Sequence, residues 1–347
     1  MSKAPDAPQE GVYVRRLSSQ LLAGRPARTP EAVAERLLAI QAQDPRGARL
    51  AIRARSTATT AGEVDRALDE RRMVVSWLNR GTLHMVRAED YWWLHTLTTP
   101  PLHTPNTRRL VETGVSAAAA ERGVTTIERA LHDEGPLARN ELRERLQARD
   151  VPTAGQALVH VFLLACVRGI AVRGPMKGRE QAYVLARDWL GAPPPVGRER
   201  ALAELARRYL RGHAPASDRD LARWAGLPLR DARAGLAEIA AELRELDGGL
   251  VELKTARRRP VEPAPLKLLG AFEPLLLGWC SREAILGDAA ERIVTGGIFR
   301  PFALRGTRAV AVWRVRGGEI EVEPFASLPD DATRALEAER KAVQQFL

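Results

Sequence analysis

Apolar positions recur with helical spacing in three separate stretches, and each stretch closes in residues that alternate like strands. The second stretch is the clearest. Residues 124–132 spell a short amphipathic helix, Gly135-Pro136-Leu137 breaks it, and 138–147 form another. After Val151-Pro152, Thr153 is placed to cap a third helix reaching about Arg168. Two alternating runs, 169–174 and 181–185, then flank a Gly/Pro-rich tip, the signature of a hairpin.

The third stretch repeats the plan. Residues 199–211 read as a helix ended by Gly212-His213-Ala214-Pro215. Ser217-Asp218-Arg219-Asp220 opens the next helix with a capping box, Gly226 and Pro228 turn the chain, and a further helix runs to about Leu246. Residues 220–236 are therefore a helix-turn-helix, followed by a turn at Asp247-Gly248-Gly249 and the β-prone 250–253.

The first stretch is looser. Residues 16–23 and 30–39 are helical, Pro45 starts a helix to about Arg55, and 63–70 form one more. Runs 74–78 and 82–86 pair across Asn79-Arg80-Gly81. From residue 263 the chain turns to short strand-like runs separated by glycine (266–277, 293–294, 298–299, 303–304, 309–315, 319–322), closed by a helix over 330–345. Helix-turn-helix plus hairpin, three times over, is the plan of a winged helix. The expected fold is α+β: three tandem winged-helix units over 11–115, 121–190 and 198–258, then a C-terminal antiparallel β sheet or barrel over 263–347.

Composition narrows the classes. At 45% apolar residues the 347-residue chain is no disordered protein. Its longest apolar run, 157–167, contains His160 and falls far short of the roughly 20 residues of a membrane span. The N-terminal MSKAPDAPQEG lacks the apolar core of a signal peptide, so a soluble cytoplasmic protein is expected. Cys166 and Cys280 both sit in apolar runs and are expected as buried reduced thiols, neither a disulfide framework nor a zinc site. The seven tryptophans fall mostly in apolar patterns and read as core.

Charge points both ways. Lys and Arg number 53 against 43 Asp and Glu, a net +10 that favours a polyanionic partner such as nucleic acid. Yet much of the arginine is interleaved with acids at helical spacing, as in Glu141-Leu142-Arg143-Glu144-Arg145, which is how a solvated face looks. The densest cluster ends in Arg257-Arg258-Arg259 before Pro260, and reads as a basic loop on a phosphate backbone or as a solubilising linker.

Common chemical motifs are missing: no GxGxxG, no P-loop, no GxSxG elbow, and six scattered histidines without HExxH. Neither cofactor nor metal is expected. One cluster stands out, Ala39-Ile40-Gln41-Ala42-Gln43-Asp44-Pro45. Pro45 keeps Asp44 out of helical geometry and makes it the cap of the following helix, so Gln41 and Gln43 occupy a helix–helix junction. On residue type alone the two amides are solvated and Asp44 is a cap.

Four motifs add to that reading: 38–46 (LAIQAQDPR), 76–84 (SWLNRGTLH), 269–278 (LGAFEPLLLG) and 296–301 (GGIFRP). In this order and spacing the chain resembles, over nearly its whole length, the winged-helix bacterial DNA glycosylases of the AlkZ and YcaQ type. That resemblance implies tandem winged helices in a C-shaped molecule around a central channel. It also implies a catalytic Gln-Φ-Gln motif, or Gln-Φ-Asp in the YcaQ branch; Gln41-Ala42-Gln43 matches the first form, with a small middle residue.

The implied activity is a monofunctional glycosylase that hydrolyses the N-glycosidic bond of N7-alkylated guanine, bulky adducts and interstrand crosslinks included, with water as nucleophile. By kinship, its role would be self-resistance to a DNA-alkylating natural product. The implied partner is double-stranded DNA carrying cationic N7-alkylpurine lesions, met by a nucleoid-associated monomer. N7-alkylation already makes the base a good leaving group, so the protein has only to hold water at C1′ and steady the sugar cation. A glutamine amide can orient water but cannot take its proton, which assigns that task to Gln41 and Gln43. Arg80, His84, Arg257, Arg258 and Arg259 are the candidate DNA contacts, although a hairpin tip packed on its own domain accounts for the first two equally well. The competing reading is a non-catalytic winged-helix transcription regulator, which reads duplex DNA through its third helix.

Overall fold

The computed structural model describes residues 10–57, 60–256 and 266–347. Two compact units emerge. One takes in the chain up to Val64 together with Leu202–Trp224 and Pro228–Leu347; the other comprises Asp65–Ala201 with Ala225–Leu227. Helices mix with antiparallel sheets in both.

The first unit opens with α1 (Glu10–Ser19), α2 (Pro30–Leu37), a two-residue strand β1 (Ile40–Gln41), α3 (Pro45–Arg53) and the start of α4 (Ala61–Asp69). The Thr29 hydroxyl accepts the Ala32 N–H at 3.2 Å and Pro30 sits in the first helical turn, which starts α2 where the sequence places it. α1 lies upstream of the expected 16–23. Leu21 adopts φ 57° and the Leu22 N–H turns back to the Leu17 carbonyl, which ends the helix.

In the second unit the strands β2 (Met73–Trp77), β3 (Leu83–Arg87), β4 (Ala171–Lys177) and β5 (Glu180–Leu185) lie in the order β3-β2-β4-β5, every neighbour antiparallel. Both expected hairpins are there, joined at the Val75–Arg173 pair. The helices are α5 (Ala88–Thr98), α6 (His103–Glu112), α7 (Ala117–Glu134), α8 (Arg139–Gln147), α9 (Ala157–Val167) and α10 (Ala186–Leu190). α7 is much longer than 124–132, because Ser116 caps an alanine run that carries no amphipathic signal. Thr153 caps nothing; its hydroxyl accepts from the Gln147 amide at 3.0 Å, and α9 starts after Gln156.

The first unit resumes in α11 (Arg198–His213), followed by α12 (Asp218–Ala225) and α13 (Leu229–Glu238). The capping box is as expected: Ser217 Oγ accepts the Asp220 N–H at 3.2 Å and the Asp220 carboxylate accepts the Ser217 N–H at 2.9 Å. α13 stops well short of Leu246. Leu243–Leu246 (β6) pairs instead with Leu250–Leu253 (β7) across left-handed Gly248 and Gly249.

Next come β8 (Lys267–Leu269), α14 (Pro274–Leu277), α15 (Glu283–Leu286), α16 (Ala290–Ile293), and the hairpin of β9 (Val294–Thr295) with β10 (Ile298–Phe299). β11 (Phe302–Arg305), β12 (Arg308–Arg316) and β13 (Glu319–Pro324) complete a four-stranded antiparallel sheet in the order β13-β12-β11-β8, and α17 (Asp330–Phe346) follows. Of the run 266–277 only its start is strand, since Pro274 begins a helical turn. Leu268, Ala303, Trp313, Ile320, Leu336 and Phe346 form the core of this sheet, and α3 sends Leu50 into it.

Five tryptophans (Trp77, Trp92, Trp224, Trp279 and Trp313) are buried. Cys166 is buried as well, but Cys280 is exposed: the chain leaves the core immediately after Trp279. Among the described residues no helix is long and apolar enough to cross a membrane.

Candidate active site

The α2–α3 connection is fixed at both ends. At its start the Ala39 N–H bonds the Leu37 carbonyl at 2.8 Å around Leu38, whose φ of 65° and ψ of −48° make a γ-turn that a branched L-residue adopts only under strain. Leu38 is fully buried, so packing holds it there. At the far end the Asp44 carboxylate accepts the Gly47 N–H at 2.8 Å, and Pro45 follows as the first helical residue. Between them Gln41 is 7% exposed, Ala42 is buried, and Gln43 opens to solvent.

α3 is seated backbone on backbone. A Cβ on Gly47 would lie 2.3 Å from the Ala271 carbonyl oxygen, and one on Gly270 would lie 3.0 Å from the Gly47 Cα. Only glycine fits at such an approach. Farther along the helix, Arg53 forks onto Glu339 at 2.8 and 3.2 Å. The Arg55 guanidinium, fully buried, bonds the equally buried Glu273, the Ala51 carbonyl at 2.9 Å and Gln20 Oε1 at 2.9 Å. Glu273 also accepts the Leu275 N–H at 3.1 Å. Removing one partner of such a pair costs about 3–5 kcal/mol, because the other charge is left buried alone. Motif 269–278 therefore packs on the helix that Asp44 starts. The pattern Asp-Pro-x-Gly announces the cap, but nothing in the sequence announces this seat.

Arg80 and His84 belong to the other unit. Arg80 takes φ 57° in the single turn Asn79–Gly81, and a Cβ on Gly226 (φ 70°) would lie 2.8 Å from the Arg80 nitrogen. His84 stands opposite Ser76 on β3, 2% exposed, with Nδ1 hydrogen-bonded to the Thr82 carbonyl at 2.9 Å. Burial, and then the charge of Arg80, push its imidazole down to about 3. It is neutral at physiological pH, with Nδ1–H donating and Nε2 left as the acceptor. Thus the connection brings Gln41 and Gln43 together, the hairpin brings Arg80 and His84 together, and Arg257, Arg258 and Arg259 lie outside the described residues. Among the described residues no group of three or more His, Cys, Asp or Glu is placed to hold a metal.

Chemically, two amides on a braced connection can donate and accept hydrogen bonds to a water without changing charge. The helices that would read a DNA groove differ sharply. α9, third helix of the expected second unit, buries nine of its eleven residues, while α13 buries only Ala232 and Gly235.

A family model described as DNA glycosylase AlkZ-like matches residues 34–346. A curated protein of Streptomyces sahachiroi, an interstrand DNA cross-link repair glycosylase, is 26% identical over 353 residues, covering 94% of this chain and 93% of that protein. In fold, the chain matches the solved structure of the Streptomyces sahachiroi DNA glycosylase AlkZ with a TM-score of 0.77 at 24% identity, over 98% of this chain and 96% of that one.

Proposed function

Because this chain belongs to the AlkZ-like DNA glycosylase family, we propose that it hydrolyses the N-glycosidic bond of N7-alkylated guanine in double-stranded DNA, bulky adducts and interstrand crosslinks included. The observation that carries this reading is the braced α2–α3 connection, which holds Gln41 and Gln43 between a strained turn and a capped helix. The alkylated base is cationic, so the C1′–N9 bond breaks with its electron pair going to the base, which leaves neutral. Gln41 and Gln43 orient the water whose oxygen bonds C1′ as oxocarbenium character develops, and the proton passes to solvent because neither amide takes it. An abasic site remains. Undamaged purines, with no such leaving group, react slowly.

In the same reading three winged-helix units surround the DNA, with Arg80 facing it through charge; His84, expected as a second DNA contact, is buried in the hairpin and braces it instead. The enzyme works as a nucleoid-associated cytoplasmic monomer and protects its host from a DNA-alkylating natural product. A regulator that reads DNA through each third helix fits less well, since α9 has no exposed face for a groove.

Gln41→Ala and Gln43→Ala each lower single-turnover excision of N7-methylguanine by about 100-fold, the scale of losing a positioned reactant, and leave duplex affinity largely intact. Unchanged rates in both variants remove the catalytic assignment.

A further inference from the structure

Arg219 and Arg223 stand four residues apart on α12, both exposed, and neither has an ion-pair partner among the described residues. The carboxylate between them cannot neutralise them. Asp220 is buried and accepts from the Ser217 N–H and hydroxyl, each at 2.9 Å, from the Cys280 N–H at 2.8 Å, and lies 3.7 Å from the Arg16 guanidinium. Arg16 is itself buried, 4.6 Å over the Trp279 ring.

The Asp220–Cys280 bond clamps the loop after Trp279 against α12 and brings a third cation alongside. Arg282 lies 5.0 Å above the Phe299 ring of β10. Desolvation, and then the like charge of Arg223, weaken its hold on its proton. Three guanidiniums thus crowd one surface of a chain with net charge +10. Like charges so placed repel one another, although Arg282 is held by the Leu276 carbonyl and the Phe299 ring; the patch suits an anion that bears charge at regular intervals. In helix-turn-helix docking the first helix lies across the DNA backbone, and α12 holds that place before α13.

We infer that Arg219, Arg223 and Arg282 form a seat for the sugar–phosphate backbone of duplex DNA, a contact independent of sequence. The inference rests on the glycosylase reading only for the identity of the polyanion.

Cys280 supplies the probe, since it is exposed within the patch while Cys166 is buried. An unmodified duplex at saturating concentration slows labelling of Cys280 by a small uncharged maleimide about 10-fold or more. R219Q/R223Q, two exposed changes, flattens the slope of log affinity against log salt by about 1.8, as expected for two lost phosphate contacts; R219K/R223K restores it. In DNA-free R219Q/R223Q, Cys166 stays unlabelled, which shows that the fold is kept. Full labelling of Cys280 under bound duplex, or an unchanged slope, overturns the patch. Protection without excision of N7-methylguanine supports the patch and overturns the enzymatic reading, whereas excision without protection overturns the patch alone.

Discussion

α9 and α13 each follow a short helix and a turn, in stretches whose sequence patterns look alike, and they end in opposite environments. α9 reads ALVHVFLLACV; its Phe162 stacks on Tyr183 with ring centres 4.6 Å apart, and its Cys166 carbonyl is hydrogen-bonded by the His95 ring at 3.1 Å. Even His160 is engaged, by the Asn106 amide at its carbonyl (3.1 Å) and at Nδ1 (2.8 Å). α13 reads LRDARAGLAE and meets its unit through Ala232 and Gly235, and a Cβ on Gly235 would lie 2.4 Å from the Leu202 carbonyl. A helix-turn-helix pattern lays out the path of the chain, but the density of apolar residues on the last helix decides whether it faces a partner or fills a core. One is a pillar and the other a surface.

The comparison breaks most easily at Phe162. Phe162→Ala leaves a cavity in the pillar and costs about 3–5 kcal/mol of stability, read as a large fall in the denaturation midpoint, while the folded fraction binds duplex DNA as before. A variant that stays stable but binds weakly would place α9 in the interface. Acid acts on the same region. His84 is pushed down to about 3, and burial also lowers His95 and His160. The unfolded chain binds protons near pH 6.5 that the folded unit refuses, so stability present above that pH is lost on acidification, by up to about 1.4 kcal/mol per pH unit for the fully buried His84 and by less for the more solvated His160. Hydrogen exchange followed from pH 7 to 5 is expected to loosen α5 and α9 before α13. Loss in the reverse order removes the link between burial and titration.

What the sequence revealed follows the same division. Local signals were legible: Asp44 before Pro45, the Ser217–Asp220 box and the hairpin across Asn79–Gly81 all appear where their chemistry puts them. Long-range decisions were not. Leu243–Leu246 is compatible with helix or strand, and its pairing with Leu250–Leu253 decides the matter. α5, AEDYWWLHTLT, shows no clean apolar stripe because it is buried on several sides, so the apolar pattern announces neither it nor α6. At the candidate site the glutamines and their cap could be named from the chain, but the Gly47–Ala271 contact could not. It joins residues more than two hundred positions apart, and a glycine at the end of a cap motif gives no hint of what lies beneath it.

The smallest expected effect tests the surface helix. Arg230 opens α13 with its side chain 86% exposed, and its nearest carboxylate, Asp231, is 3.9 Å away. Arg230→Gln therefore changes stability by less than about 0.5 kcal/mol, as exposed substitutions do. In helix-turn-helix docking the N-terminal residues of the second helix meet the DNA, so the same change lowers the salt slope of duplex binding by about one. A null result on both measurements would make α13 a solvated helix held by Gly235, and would confine the footprint of this unit to α12 and the loop clamped against it. A lowered slope at constant stability would join α13 to that footprint, and the contrast with α9 would then be one of function as well as burial.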